Sequence, residues 1–459
     1  MQKIFIDCSF LSFNPSLNTG IQRVVRKVVE NLAILSKEQG FELFLVDINN
    51  GKFDLMSYDS LLASSASTQS SQNSVQKIDL KNLFITYLKD IYNALKGLAA
   101  AILPHPMVKK FLFASKNDFG LNYLIFKLFV KPLKTLLGIF RKNRYEQPQV
   151  HFEPQIAKGD ILLLLDSTWH LNIWPSVESA KKDGAKVIAV IYDIIPISHP
   201  AFCDEHLVDV FNKWFYNSLK YVDGYIAISR TVMKNLQDFM HKEFGDKMVE
   251  KKFEYFWLGG DFSHNNNINQ KIREELEYVF INRSTYLIVC TIEPRKNHAY
   301  LLDVFDSLWS KDFDVNLCIV GRVGWKVDDL IDRIRSHPLY NKKLYSYHDL
   351  SDTELEYCYQ NAKALLFPSI VEGFGLPIIE ALSHKLPVFA SDIEIHREVG
   401  GDKIGFFDIN NTVDLEEKIV DIEKNGIPKK LIPDELYNWQ SWRESSSMLL
   451  EKVQKMAQL

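Results

Sequence analysis

Residues 365–382 read Leu365-Leu366-Phe367-Pro368-Ser369-Ile370-Val371-Glu372-Gly373-Phe374-Gly375-Leu376-Pro377-Ile378-Ile379-Glu380-Ala381-Leu382, and the rest of the chain can be read outward from them. The pattern predicts a buried strand ending at Phe367, a tight loop over 368–376 and a helix opening at Pro377. Glycines at 373 and 375 let the loop backbone approach a ligand and take positive φ. Proline suits the first helical turn, where its missing N–H is not needed. Backbone N–H groups at a positive helix end make a seat for phosphate. Glu372 and Glu380 bracket that seat and suit the neutral, hydroxyl-bearing part of a ligand. A βα turn that needs glycine only for shape is the plainer alternative. Pro-Ser before the loop, a carboxylate on each side and proline at the helix start speak against it.

The surrounding chain supports an α/β architecture. Strand-like runs at 3–7, 41–48, 161–166, 186–192 and 225–229 form one set, and runs at 286–291, 315–320, 364–367 and 387–391 a second. Helical patterns separate them, which implies parallel sheets covered on both faces. Two sets predict two doubly wound, Rossmann-like domains facing across a cleft, with the ligand at the carboxyl ends of the strands. The expected division is 1–262, carrying an insertion over about 60–150, then 263–438, then an amphipathic helix over 439–459. The junction is expected at Leu258-Gly259-Gly260-Asp261, before the polar run 263–270. Hydrophobic content of 46% and charged content of 24% over 459 residues fit a globular protein with ample core. A net charge of −4 argues against nucleic-acid binding through the whole surface. Five scattered cysteines with no Cys-x-x-Cys pair fit a reducing compartment and no zinc site. The chain opens on a strand-like run, so no secretory signal is expected.

Other strand ends offer further candidates. Thr291-Ile292-Glu293-Pro294-Arg295-Lys296-Asn297 follows the run YLIVC. Two cations at a strand mouth suit a diphosphate; as neighbours, Arg295 and Lys296 are expected to point differently, one to phosphate and one to a structural carboxylate. Arg322, after NLCIVG, is a second cation for the same ligand, and Trp325 is a stacking or packing aromatic. In the first half, Asn18-Thr19-Gly20-Ile21-Gln22-Arg23 sits between a strand and an amphipathic helix, with Thr19 as a candidate cap. Gly20 admits a diphosphate or acceptor there, and Arg23 lies one turn into the helix. Tyr192-Asp193 ends another strand; Asp193 faces the cleft, either to orient a hydroxyl or to cap the next turn. Ser229-Arg230 ends YIAIS in the same way.

Pro368-Ser369, Glu372-Gly373-Phe374-Gly375-Leu376-Pro377 and Glu380-Ala381 resemble the signature of retaining glycosyltransferases of family 4, in which seven residues separate two glutamates. Glu293-Pro294-Arg295-Lys296-Asn297 resembles that family's donor-phosphate motif, and Tyr192-Asp193 with His199-Pro200 its first-domain strand end, with tyrosine where many members have histidine. The resemblance covers about 1–50 and 155–455, and it implies that the Trp-bearing terminal helix over 439–459 crosses back to the first domain. It implies a GT-B fold and transfer of a hexose from a nucleoside diphosphate sugar to a hydroxyl acceptor with retention, without a bound metal or other cofactor. It assigns donor binding to Gly20, Arg295, Lys296, Arg322, Gly373, Phe374, Gly375, Leu376 and Glu380. Lys296, Glu372 and Asp193 would serve the chemistry, with Arg23 and Tyr192 on the acceptor side. Glu372 would hold the sugar and Glu380 the ribose. Thr-Gly-Ile-Gln-Arg openings occur in bacterial mannosyl- and rhamnosyltransferases, so GDP-mannose is the first expectation for the donor. A nucleotide-sugar epimerase, a phosphorylase and a non-catalytic membrane-associated sugar binder are the alternatives.

The insertion departs from the compact pattern. Residues 64–74 are rich in Ser, Gln, Asn and Thr. Residues 107–145 hold nine Lys/Arg against Asp118 alone, a net +8, which leaves −12 on the rest of the chain. Basic residues interleaved with Phe and Leu predict a helical segment on an anionic membrane surface. The expected partners are a nucleotide sugar, a glycan or lipid-linked acceptor of surface polysaccharide synthesis, and that surface. The expected location is cytoplasmic, peripheral on the inner face of the plasma membrane, with no nucleic-acid partner.

Overall fold

The computed structural model describes residues 3–15, 17, 20–49, 51–58, 154–245, 251–261, 271–433 and 437–458. The expectations placed on Asn18, Thr19, the 60–150 insertion and the 263–270 run lie outside these residues. Two sheets organise the rest. The first has seven strands: β1 (Lys3–Asp7), β2 (Glu42–Asn49), β3 (Lys52–Met56), β4 (Ile161–Leu164), β5 (Lys186–Ile191), β6 (Gly224–Ala227) and β7 (Lys252–Tyr255). Their order is β3-β2-β1-β4-β5-β6-β7, parallel except for β3, which pairs antiparallel with β2. The second has six: β8 (Ser284–Val289), β9 (Val315–Val320), β10 (Leu344–Tyr347), β11 (Ala364–Phe367), β12 (Val388–Ser391) and β13 (Gly405–Phe407), all parallel, in the order β10-β9-β8-β11-β12-β13.

Each of the nine runs read from the sequence becomes a strand. The four additional strands, β3, β7, β10 and β13, are the four sheet edges. Central strands such as β4, β9, β11 and β12 are buried throughout, because helices cover both faces. The edge strand β7, KFEY, is only half-buried and carries charge, so no apolar run marks it.

Strand order reverses between β1 and β4 in one sheet and between β8 and β11 in the other. Such switch points open a crevice at the carboxyl ends of the strands. The β8 crevice is walled by the 290–297 and 368–376 loops. Between the sheets the chain runs through 256–261, beside the returning segment 437–442. The Trp439 indole N–H donates to the Leu258 carbonyl at 2.7 Å, and the Gly260 N–H to the Gln440 carbonyl at 3.1 Å. A side chain at Gly259 or Gly260 would overlap Trp442 or Ile379, so glycine lets these segments lie together. The helix Trp442–Gln458 then packs on the helix Gly20–Gln39 and on β6 and β7. Leu449, Leu450, Val453 and Met456 make its buried face, at the three-to-four-residue spacing of an amphipathic helix. Among the described residues no helix is long and apolar enough to cross a membrane.

Candidate functional site

Glu372 is the centre of the β8–β11 crevice. The residues before it leave β11 and turn sharply, and the loop is pinned by the Ile370 N–H donating to the Arg295 carbonyl at 2.8 Å. Gly375 has φ of +94° and stands just before the helix Leu376–Ser383, with Pro377 inside its first turn. That left-handed geometry is one that L side chains rarely adopt. On the facing loop, Pro294–Lys296 form a single 3₁₀ turn, and Asn297, at φ +56°, leads into the helix His298–Ser310.

This turn carries the two cations to one carboxylate. Arg295 Nη1 donates to Glu372 Oε2 at 2.7 Å, and Lys296 Nζ pairs with Glu372 Oε1. Arg295 Nη2 also meets Glu293 Oε1 at 2.7 Å. The expectation that the neighbouring cations point apart is therefore corrected: the tight turn folds both towards Glu372. Burial works to raise the Glu372 carboxyl, but Arg295 and Lys296 outweigh it and hold it well below the usual carboxylate range. Burial raises Glu293 and Asp193 despite the same cations. Three carboxylates thus share two cations in a largely buried crevice, with Asp193 and Arg295 partly exposed. Lys296 Nζ also lies 5.2 Å from the centre of the Phe367 ring.

Asp193 comes from the other sheet. Its Oδ1 accepts from the Ile195 N–H at 2.9 Å, so it caps the next turn, and it also feels Arg295, Glu372 and Lys296 across the crevice. The two halves touch here: a side chain at Gly373 would overlap the Tyr192 carbonyl oxygen and stand 3.2 Å from Asp193 Cβ. The Tyr192 hydroxyl turns away and donates to the Leu165 carbonyl at 2.8 Å within the core. Its backbone carbonyl, not its ring, faces the loop. Arg23 reaches across to Glu380 Oε1, and the Tyr359 hydroxyl donates to Glu380 Oε2 at 2.7 Å. The structure thus joins an acceptor-side residue of the sequence reading to a donor-side one.

Four other residues are singled out by the sequence. Gly20 opens its helix with nothing within 4 Å of where a side chain would begin. Arg322 is exposed on the loop after β9. Phe374 is buried, edge-on to Trp439 at 6.1 Å, so it braces the loop against the returning segment. Trp325 packs across the halves: its indole N–H donates to the Phe202 carbonyl at 2.8 Å.

Several participants carried no sequence signal. His396 is fully buried beneath the loop; its Nδ1 lies 2.9 Å from the Ser391 carbonyl, and burial pushes the imidazole down to about 4. Ser391 Oγ in turn donates to the Ser369 carbonyl at 2.5 Å. Burial pushes the Cys290 thiol up to about 12, so it is no nucleophile at neutral pH. Tyr359 reaches Glu380 from a helix that the motif spacing does not link to it.

The arrangement has two opposed α/β sheets and a phosphate-suited loop and cation turn at one switch point. Residues 277–434 match the family model of Glycosyl transferases group 1. The fold is GT-B. The chain is 31% identical over 307 residues to the serotype-specific mannosyltransferase WbdA of Escherichia coli, a match that covers 65% of this chain and 37% of WbdA. It is 34% identical over 117 residues to the E. coli O-antigen chain mannosyltransferase B, which covers 25% of this chain and 30% of that protein. The match therefore spans about a third of the length of each of these relatives. Among solved structures, a glycosyltransferase from Rickettsia africae superimposes with a TM-score of 0.54 at 17% identity, covering 99% of this chain and 98% of that one. That likeness concerns the fold.

Proposed function

We propose that the chain is a retaining glycosyltransferase that moves a hexose, with mannose from GDP-mannose the first choice, to a hydroxyl of a glycan or lipid-linked saccharide in surface polysaccharide synthesis. The observation that carries this reading is the convergence of Arg295 and Lys296 on Glu372 beneath the glycine loop. The group 1 match over this half and the mannosyltransferase relatives support it.

The reaction breaks the bond between the anomeric carbon and the terminal diphosphate oxygen, and forms one from that carbon to the acceptor oxygen on the same face. The electron pair of the broken bond goes to the diphosphate, where charge grows. Lys296, Arg295 and the N–H groups at Gly373–Leu376 would meet that charge. Their positions are set before reaction by the turn at 294–296 and the helix start at Leu376. Preorganised donors of this kind need no reorientation as charge develops. Glu372, kept ionised, would accept from sugar hydroxyls and align both cations. Glu380 would take the ribose hydroxyls, and Asp193 the acceptor hydroxyl, whose proton leaves with the diphosphate. No step in this scheme requires a metal or other cofactor.

A thermal-shift screen against GDP-, UDP- and dTDP-sugars, followed by transfer assays with and without EDTA, tests the reading. GDP-mannose should raise the melting temperature most, since binding to the folded state stabilises by mass action, and transfer should survive EDTA. A chain that no nucleotide sugar stabilises would refute it. Binding to an anionic membrane through 107–145 is proposed from charge alone; sedimentation with anionic but not neutral vesicles, weakening with salt, checks it.

A further inference from the structure

The N-terminus of the helix Arg230–Phe244 is held by the other half of the molecule. Glu398, from the helix Glu394–Gly400 after β12, presents its carboxylate to it. One oxygen accepts from the Arg230 N–H and the Trp257 indole N–H, each at 2.7 Å. The other accepts from the Thr231 N–H at 2.7 Å and the Thr231 hydroxyl at 2.6 Å. Four donors converge on one acceptor-only group at the positive end of a helix, where a carboxylate is favoured. One residue earlier, the buried Ser229 caps the same helix by accepting from the Val232 N–H at 3.1 Å, and donates to the Gly373 carbonyl at 3.0 Å. One helix end therefore grips both the Glu398 helix and the glycine loop beside Glu372. Gly373 itself lies where a side chain would strike the Tyr192 carbonyl, so the loop meets the Asp193 wall directly.

We propose that Glu398 and Ser229 are positioning residues for transfer: Glu398 seats the 230–244 helix on the second half, and Ser229 then fixes the Gly373 carbonyl, holding Glu372 and the loop N–H groups against Asp193. The proposal rests on the transferase reading. It separates two functions of the second half. Donor binding draws chiefly on groups carried after β8 and β11, whereas alignment of acceptor with donor needs this cross-sheet grip.

Glu398→Gln is the discriminating variant. It preserves shape but turns one acceptor oxygen into an NH₂ group that faces two donors. Native-state hydrogen exchange at Thr231 and Val232 should quicken at least about tenfold. The donor dissociation constant, measured with the nucleoside diphosphate that most stabilises the wild type, should stay within about threefold. Turnover should fall about thirtyfold, equivalent to ~2 kcal/mol in the barrier. Ser229→Ala should lower turnover in the same direction without loosening donor binding. Unchanged exchange in Glu398→Gln overturns the docking, and turnover within threefold of wild type despite faster exchange overturns the positioning role. Exchange is read without turnover, so failure of the transferase reading, seen as no transfer by the wild type, is told apart from failure of the docking.

Discussion

Replacing Lys296 by methionine removes one of the two cations shared by Glu372, Glu293 and Asp193 while keeping an unbranched apolar side chain one atom shorter. Lys296 is 7% exposed and its ammonium pairs with Glu372. At an effective dielectric near 20, opposite charges ~3 Å apart attract by roughly 5 kcal/mol. Methionine also spares the desolvation of the ammonium, and Glu372 keeps Arg295 on its other oxygen at 2.7 Å. Breaking a buried pair outright costs about 3–5 kcal/mol, so with Arg295 in place the expected fall in stability is about 2 kcal/mol. The kinetic effect should be larger. A missing preorganised donor at a developing negative charge costs about 10²–10³-fold in turnover, or about 2.7–4 kcal/mol. Initial rates at saturating donor, alongside denaturant unfolding, measure both. The expected pattern is turnover down at least a hundredfold, with a cooperative transition retained at lower denaturant. Turnover within about threefold of wild type would refute the reasoning that Lys296 meets the departing diphosphate.

Other outcomes follow from the same geometry. Gly373→Ala should lower stability by about 1–3 kcal/mol, as overpacking does, and turnover at least tenfold, because its methyl group would meet the Tyr192 carbonyl and force the halves apart; unfolding curves and rates check this. Arg23→Met should lower stability by about 1–3 kcal/mol, since it leaves the buried Glu380 carboxylate with the Tyr359 hydroxyl in place of an ion pair. It should lower the donor KM severalfold if Arg23 and a ribose compete for Glu380; a tenfold rise would show that Arg23 itself meets the donor. Burial raises Asp7 to about 7 and Asp166 to about 6. The folded state therefore holds protons that the unfolded chain releases above about pH 4. Stability from these groups is fully present below about pH 4 and is lost progressively as pH rises to the folded-state values of about 6 and 7, by up to roughly 4 kcal/mol for Asp7 alone. Asp7→Asn should reduce the fall in unfolding free energy between about pH 4 and 7, measured in urea.

The sequence by itself determined the strands with continuous apolar runs, from Lys3–Asp7 to Val388–Ser391, because burial on both faces demands such runs. It also marked the loop 368–376 and the turn 291–297, because positive φ, a helix start and clustered cations are local requirements written in adjacent residues. Only the tertiary structure decided where the edge strands lie, because one-sided pairing relaxes the apolar pattern that would reveal them. It alone decided that Arg295 and Lys296 share Glu372, that Arg23 meets Glu380 from 357 positions away, and that Glu398 holds the helix at Arg230. Those pairings depend on how two sheets are brought face to face. A carboxylate's partner is set by distance and burial in the folded chain, and spacing along the sequence encodes neither.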